Sequence, residues 1–83
     1  MTPTTQTPAH KHLAAIRAAL VAAGTRTVQR DRHARIEPCT PVRVTTHLGA
    51  GVLVSVTDDA WVEVQLDGET RQDEYPIELV ELA

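Results

Sequence analysis

Gly49-Ala50-Gly51-Val52-Leu53-Val54-Ser55-Val56, followed by Thr57-Asp58-Asp59 and then Ala60-Trp61-Val62-Glu63-Val64-Gln65-Leu66, is the stretch whose reading decides the fold. Two Val-rich runs flank a polar turn, the pattern of a β-hairpin at the centre of a small barrel. The valines set its register. A two-residue turn at Asp58-Asp59 places Val54 opposite Glu63 and mixes apolar and charged side chains on one face. A three-residue loop, Thr57-Asp58-Asp59, pairs Val56 with Ala60, Val54 with Val62 and Val52 with Val64. Side chains alternate with period two, so a one-residue slip inverts all of them. The odd-length loop is therefore expected. It turns Val52, Val54, Val56, Val62, Val64 and Leu66 to the core, and Leu53, Ser55, Trp61, Glu63 and Gln65 outward.

Working outward, Val42-Arg43-Val44-Thr45-Thr46 alternates apolar and polar and predicts a half-buried strand. His47-Leu48-Gly49-Ala50-Gly51 is the loop between them. Asp67-Gly68 is a strong short turn signal. Residues 69–75 follow as a polar strand with Tyr75 turned inward. Pro76-Ile77-Glu78-Leu79 predicts one 3₁₀ turn, and Val80-Glu81-Leu82 a last short strand. Upstream, Thr7-Pro8 is a helix start, and residues 9–23 are rich in Ala and Leu. Leu13, Ile16, Leu20 and Ala23 form one apolar stripe, and Gly24 suits the position after the helix end. This helix is marginal alone in water and must dock. The expected docking site is Trp61, which the stripe would cover as a lid; left uncovered, Trp61 is a natural interface anchor.

These signals divide the chain into a disordered tail (residues 1–7), an N-terminal helix (8–24), a basic connector (25–35) and a barrel (36–83). The connector could be a loop, a short strand over 25–29 or a helical turn over 30–34. The fold class expected is mainly β with one N-terminal α-helix, the strands forming a five-stranded barrel.

Composition narrows the function classes. The 83 residues suit one small domain. Phe is absent and Trp61 and Tyr75 are the only aromatics, so the core must be aliphatic. Cys39 is the only cysteine, which excludes an intramolecular disulfide and a multi-Cys zinc site. No apolar run is long enough to span a membrane, and Arg17 interrupts the apolar segment 13–23 as a secretory leader would not. A cytoplasmic protein is expected. The net charge of −3 conceals an asymmetry. Residues 1–47 hold seven Lys and Arg against Asp31 and Glu37, whereas residues 48–83 hold Arg71 alone against nine carboxylates.

Pro41-Val42-Arg43-Val44, then Gly49-Ala50-Gly51-Val52-Leu53-Val54, then Val62-Glu63-Val64-Gln65-Leu66-Asp67-Gly68, and finally Pro76-Ile77-Glu78-Leu79-Val80-Glu81-Leu82 resemble the rhythm of SH3-like small barrels of the KOW/Tudor branch. The resemblance covers about residues 36–83 and implies a five-stranded barrel with a long-range first pairing and a 3₁₀ turn before the last strand. Members of that group bind RNA, DNA, ribosomal or polymerase surfaces, or methylated peptides. An aromatic cage for a methylated side chain needs several rings, and this chain has two. The loop at His47 to Ala50 lacks the basic residues usual in nucleic-acid-binding members.

Constellations with chemical potential are few. His10 and His12 point about 200° apart on a helix and cannot share a metal. Cys39 with His33 or His47 could form a nucleophile and base, but no nucleophile turn or oxyanion hole accompanies them. Asp58 and Asp59 sit at a turn, where solvated carboxylates are the rule. The glycines at 49 and 51 lack the Lys and helix of a phosphate loop. No enzyme, cofactor or metal is expected. The sequence points instead to a binding or adaptor module, monomeric or homodimeric. Its acidic barrel face, with Trp61, Glu63, Gln65, Asp73 and Glu74, would engage a basic protein partner. The alternative is nucleic-acid binding, with Arg26, Arg30, Arg32 and Arg35 contacting phosphates. Against that stands pairing of the same arginines with the barrel's own carboxylates.

Overall fold

The structure, a computed structural model, describes residues 8–57 and 61–83, at 8–10 the backbone only. The expected tail at 1–7, the Thr7 cap and Asp58-Asp59 lie outside the described residues. Helix α1 spans Pro8–Ala23, and seven strands follow among the described residues. They are β1 (Thr25–Arg30), β2 (His33–Pro38), β3 (Val42–Thr46), β4 (Gly49–Thr57), β5 (Trp61–Leu66), β6 (Asp73–Pro76) and β7 (Val80–Leu82). A 3₁₀ turn at Ile77–Leu79 precedes β7.

The helix stops where its sequence says it should. Gly24 takes φ +80° and its N–H donates to the Val21 carbonyl at 3.2 Å, the left-handed cap that glycine supplies without a Cβ penalty. The stripe is the buried side: Ile16 and Leu20 are in the core, with Leu13 and Ala23 packed against it.

All the described strands belong to one antiparallel sheet, in which the path β6-β5-β4-β3-β7 is joined at β4 by the pair β1-β2. The expected five-stranded barrel is corrected on two counts. The sheet has seven strands, and it does not close, since β6 and β7 at the ends of the path do not pair with one another. The two additional strands come from the segment read as a connector. There β1 and β2 form a complete six-pair ladder across a two-residue turn at Asp31-Arg32, both with positive φ (50° and 66°). Positive φ at both central residues marks a type I′ turn, whose twist matches that of the flanking strands. β2 crosses the expected boundary at 35/36. Closure is replaced by the helix, which packs on the 3₁₀ turn, β7, β2 and β3 and covers the core from the open side.

β4 joins the parts. One of its edges carries β5. The other is shared: residues 49–53 pair with β3, and Val56 and Thr57 pair with Ile36 and Arg35 of β2. Between these two pairings the register with β5 shifts, at Val54. This bulge corrects the expected hairpin. Leu53 lies opposite Val64, Ser55 opposite Glu63 and Val56 opposite Val62. Leu53 and Ser55, expected outside, are buried, while Val52 and Val54 are only half-buried. The extra residue lets Leu53 and Val56, three apart, both face the core. Val62 and Val64 lie inward as the alternation requires, with Val44, Ile77, Val80 and Tyr75 completing an aliphatic core with one ring.

Gly51 shows why a glycine stands in β4. A Cβ there would lie 2.5 Å from the Gln65 carbonyl oxygen and 2.9 Å from the Leu66 Cα. The two backbones approach more closely than any side chain allows.

Candidate interaction surface

The outward face of β5 and β6 gathers most of the expected partner-binding residues. Alternation along β5 turns Trp61, Glu63 and Gln65 away from the core. Trp61 lies opposite Pro76 and Glu63 opposite Glu74. Asp73 pairs with Val64, whose side chain is in the core, so it does not share this face; it meets Arg71 Nε at 3.7 Å instead. Trp61 is 41% exposed. The expected helical lid over it is corrected: α1 lies on the core side of the sheet, and its stripe is used up by Ile77, Val80 and their neighbours. Gln65 Nε2 donates to the Glu69 carbonyl at 2.9 Å, which ties the β5–β6 loop to the strand.

The arginines of the hairpin reach the same face. Arg35, opposite Thr57 of β4, forms an ion pair with Glu63, and its Nη2 stands 3.8 Å from Glu74 Oε1. Ser55 Oγ donates to Glu63 Oε1 at 3.0 Å, which satisfies an otherwise buried hydroxyl. The Arg35 and Glu63 side chains are only 17% and 13% exposed, and Arg35 Nε is buried without a hydrogen-bond partner among the described residues. Further out, Glu37 lies between Arg26 (3.4 Å) and Arg30 (3.3 Å). Arg32 sits at the turn and makes no ion pair among the described residues. Arg26, Arg30 and Arg35 thus each face a carboxylate within the fold, and of the three Arg35 alone pairs across the charge division of the sequence.

Arg43 and Asp67 form a separate, bidentate pair at 2.8 and 2.5 Å on the exposed side of β3. The hydrogen bonds from Arg43 hold the Asp67 carboxyl below the usual carboxylate range, and those to Asp67 raise the guanidinium further. Sequence reasoning missed Glu37, Ser55 and Arg43 as partners of these charged side chains. The pairs of Glu37 follow from the register that the two-residue turn at Asp31-Arg32 sets between β1 and β2, and that of Ser55 from the bulge in β4.

Cys39 is exposed, and its N–H donates to the Gly24 carbonyl at 2.6 Å. His33 lies at the other end of β2, about 20 Å away at the rise of a strand. His47 packs edge-on against Tyr75, ring centroids 5.9 Å apart. His12 stands with Nδ1 3.3 Å from the Ile77 carbonyl oxygen and Nε2 3.8 Å from Glu81. Among the described residues no three His, Cys, Asp or Glu side chains group as metal ligands, and no helix is long and apolar enough to cross a membrane. Compared with known protein families, curated proteins and solved structures, the chain finds no match.

Proposed function

We propose that the protein is a non-enzymatic binding module of SH3-like, KOW/Tudor-type build that engages a basic protein segment through the outward face of β5 and β6. The long-range pairing of β3 with β7 and the 3₁₀ turn before β7 support the fold reading. The observation that carries the functional reading is Trp61. The chain's only indole stands 41% exposed on the sheet face, while the core is built almost without rings. Glu74 is diagonal to it across the strands, about 7–8 Å away in such geometry, with its side chain 51% exposed. A lysine or arginine lying over the indole reaches that carboxylate, combining cation–π attraction with an ion pair. Glu63 positions Arg35 rather than meeting the partner, because it is already paired and nearly covered.

The test is titration with an arginine-rich peptide at low ionic strength, read by Trp61 emission. The expected result is saturable quenching, weakened by added salt and by Glu74→Lys. Unchanged emission at low salt would overturn the reading. Phosphate contact through Arg26, Arg30, Arg32 and Arg35 has less support, since Arg35 is nearly covered in its pair with Glu63, and Arg26 and Arg30 share the Glu37 carboxylate. Salt-sensitive binding of duplex DNA or RNA that Arg26→Gln with Arg30→Gln abolishes would favour it instead.

A further inference from the structure

We infer that the free edge of β1 is a second, separate docking site, and that it takes an extended strand in which acidic and apolar residues alternate. β1 pairs with β2 along one edge only, and among the described residues no other strand covers it. The polarity of that edge follows from the ladder. A two-residue type I′ turn makes Arg30 and His33 a hydrogen-bonded pair, and such pairs alternate along an antiparallel ladder. Arg26, Val28 and Arg30 therefore spend their N–H and C=O groups on β2. The backbone groups of Thr25, Thr27 and Gln29 point outward. Pro38 opposite Thr25 agrees with this parity, since that position makes no ladder bond to β1. Three consecutive outward donor–acceptor sets, with neither proline nor bulge between them, are a template for strand addition.

The side chains beside that edge select the occupant. On the outward face stand Arg26 and Arg30, 70% and 59% exposed, with one carboxylate, Glu37, between the two of them. Arg32 at the turn adds to the positive field. A second copy of this chain is disfavoured. Antiparallel self-pairing centred on Val28 sets Arg26 opposite Arg30 of the copy, and centring on Thr27 puts the same arginines diagonal, so like charges crowd one face in either register. An incoming strand with Asp or Glu at positions i and i+4 places a carboxylate beside each arginine. Its side chains at i+1 and i+3 turn to the hairpin's other face. There a groove of about 220 Å³, lined by Arg17, Leu20, Val21, Thr25 and Ile36, reaches the edge beside a Val21 that is 78% exposed. Apolar residues fit that side.

The experiment is amide exchange and chemical-shift mapping of the full chain with a synthetic peptide alternating glutamate and valine, and with a lysine–valine peptide as control. The glutamate peptide is expected to protect the Thr27 and Gln29 amides at least about tenfold. The Val28 amide, already bonded to β2, stays unchanged. Arg26→Gln with Arg30→Gln should weaken binding about fivefold, the scale of two exposed ion pairs. Thr27→Pro removes an outward amide without touching the ladder to β2 and should abolish protection at Gln29. If that variant does not fold, by far-UV circular dichroism, the glutamine pair stands as the test. Shifts confined to the surroundings of Trp61, equal protection of the Thr27 and Gln29 amides by the lysine peptide, or edge protection that appears on self-association without peptide would each overturn the inference.

Discussion

Gly51→Ala tests the architecture at its narrowest point. The added methyl would sit 2.5 Å from the Gln65 carbonyl oxygen and 2.9 Å from the Leu66 Cα, both backbone atoms of β5. Ordinary carbon contacts begin near 3.5 Å, so β4 and β5 must part by about 1 Å, against a strand spacing of about 4.8 Å. The displacement falls where Gly51 pairs with Leu66 and where the Asp67 N–H donates to the Ala50 carbonyl at 3.0 Å. Overpacking of this kind costs about 1–3 kcal/mol, and a weakened ladder bond about 1 kcal/mol more. A loss of about 3 kcal/mol is expected. A domain of this size has roughly 4–12 kcal/mol in total, and its Tm should drop by about 12–24 °C. Urea unfolding followed by far-UV circular dichroism measures it, with the exposed neighbour change Ala50→Ser as control, expected within about 0.5 kcal/mol. A Gly51→Ala protein less than about 1 kcal/mol below the parent would refute the close approach of the two strands.

The bulge makes its own prediction: Leu53→Ala should cost about 2–5 kcal/mol, and Val54→Ala less than half as much in the same urea assay. Equal losses would place both side chains in the core. Arg35→Leu leaves Glu63 nearly covered and unpaired, and should destabilise by about 3 kcal/mol; combining it with Glu63→Leu should recover most of the loss in a double-mutant cycle. Asp67 is tested by titration. Its folded pKa is lowered by Arg43, so its contribution is present above the ordinary carboxylate range and is lost as pH falls through the lowered value. A carboxyl-carbon NMR titration should show a midpoint below that of an ordinary Asp, returning toward it in Arg43→Gln.

What the sequence revealed and what it concealed have physical reasons. The helix was legible because composition, stripe and Gly24 agree, and Val42 to Thr46 because its alternation is uninterrupted. The face of β4 was not. Val52, Val54 and Val56 form a flawless period-two pattern, and the bulge at Val54 breaks that period without changing a residue type. The arginine-rich hairpin escaped because type I′ turns usually announce themselves with Asn-Gly or Asp-Gly, whereas here Asp31-Arg32 adopts the geometry. With the hairpin hidden, the salt bridges of Glu37 and Arg35 could not be placed, and Arg26, Arg30 and Arg35 looked available when each faces a carboxylate. Outward placement of Trp61, Glu63 and Gln65 survived because β5 keeps its alternation unbroken.

The place of β3 in the sheet sets the order in which the molecule can assemble. β3 is sandwiched between β4, its immediate successor in the chain, and β7, the last strand. The hairpins β1–β2 and β4–β5 close short loops and form on a scale of about 1–10 μs. The β3–β7 ladder, three pairs from Val44–Leu82 to Thr46–Val80, must first close a loop that contains β4, β5 and β6. Folding of the sheet therefore waits on its longest-range strand pairing, and until β7 arrives the open side of β3 is a transient template for strands of other molecules.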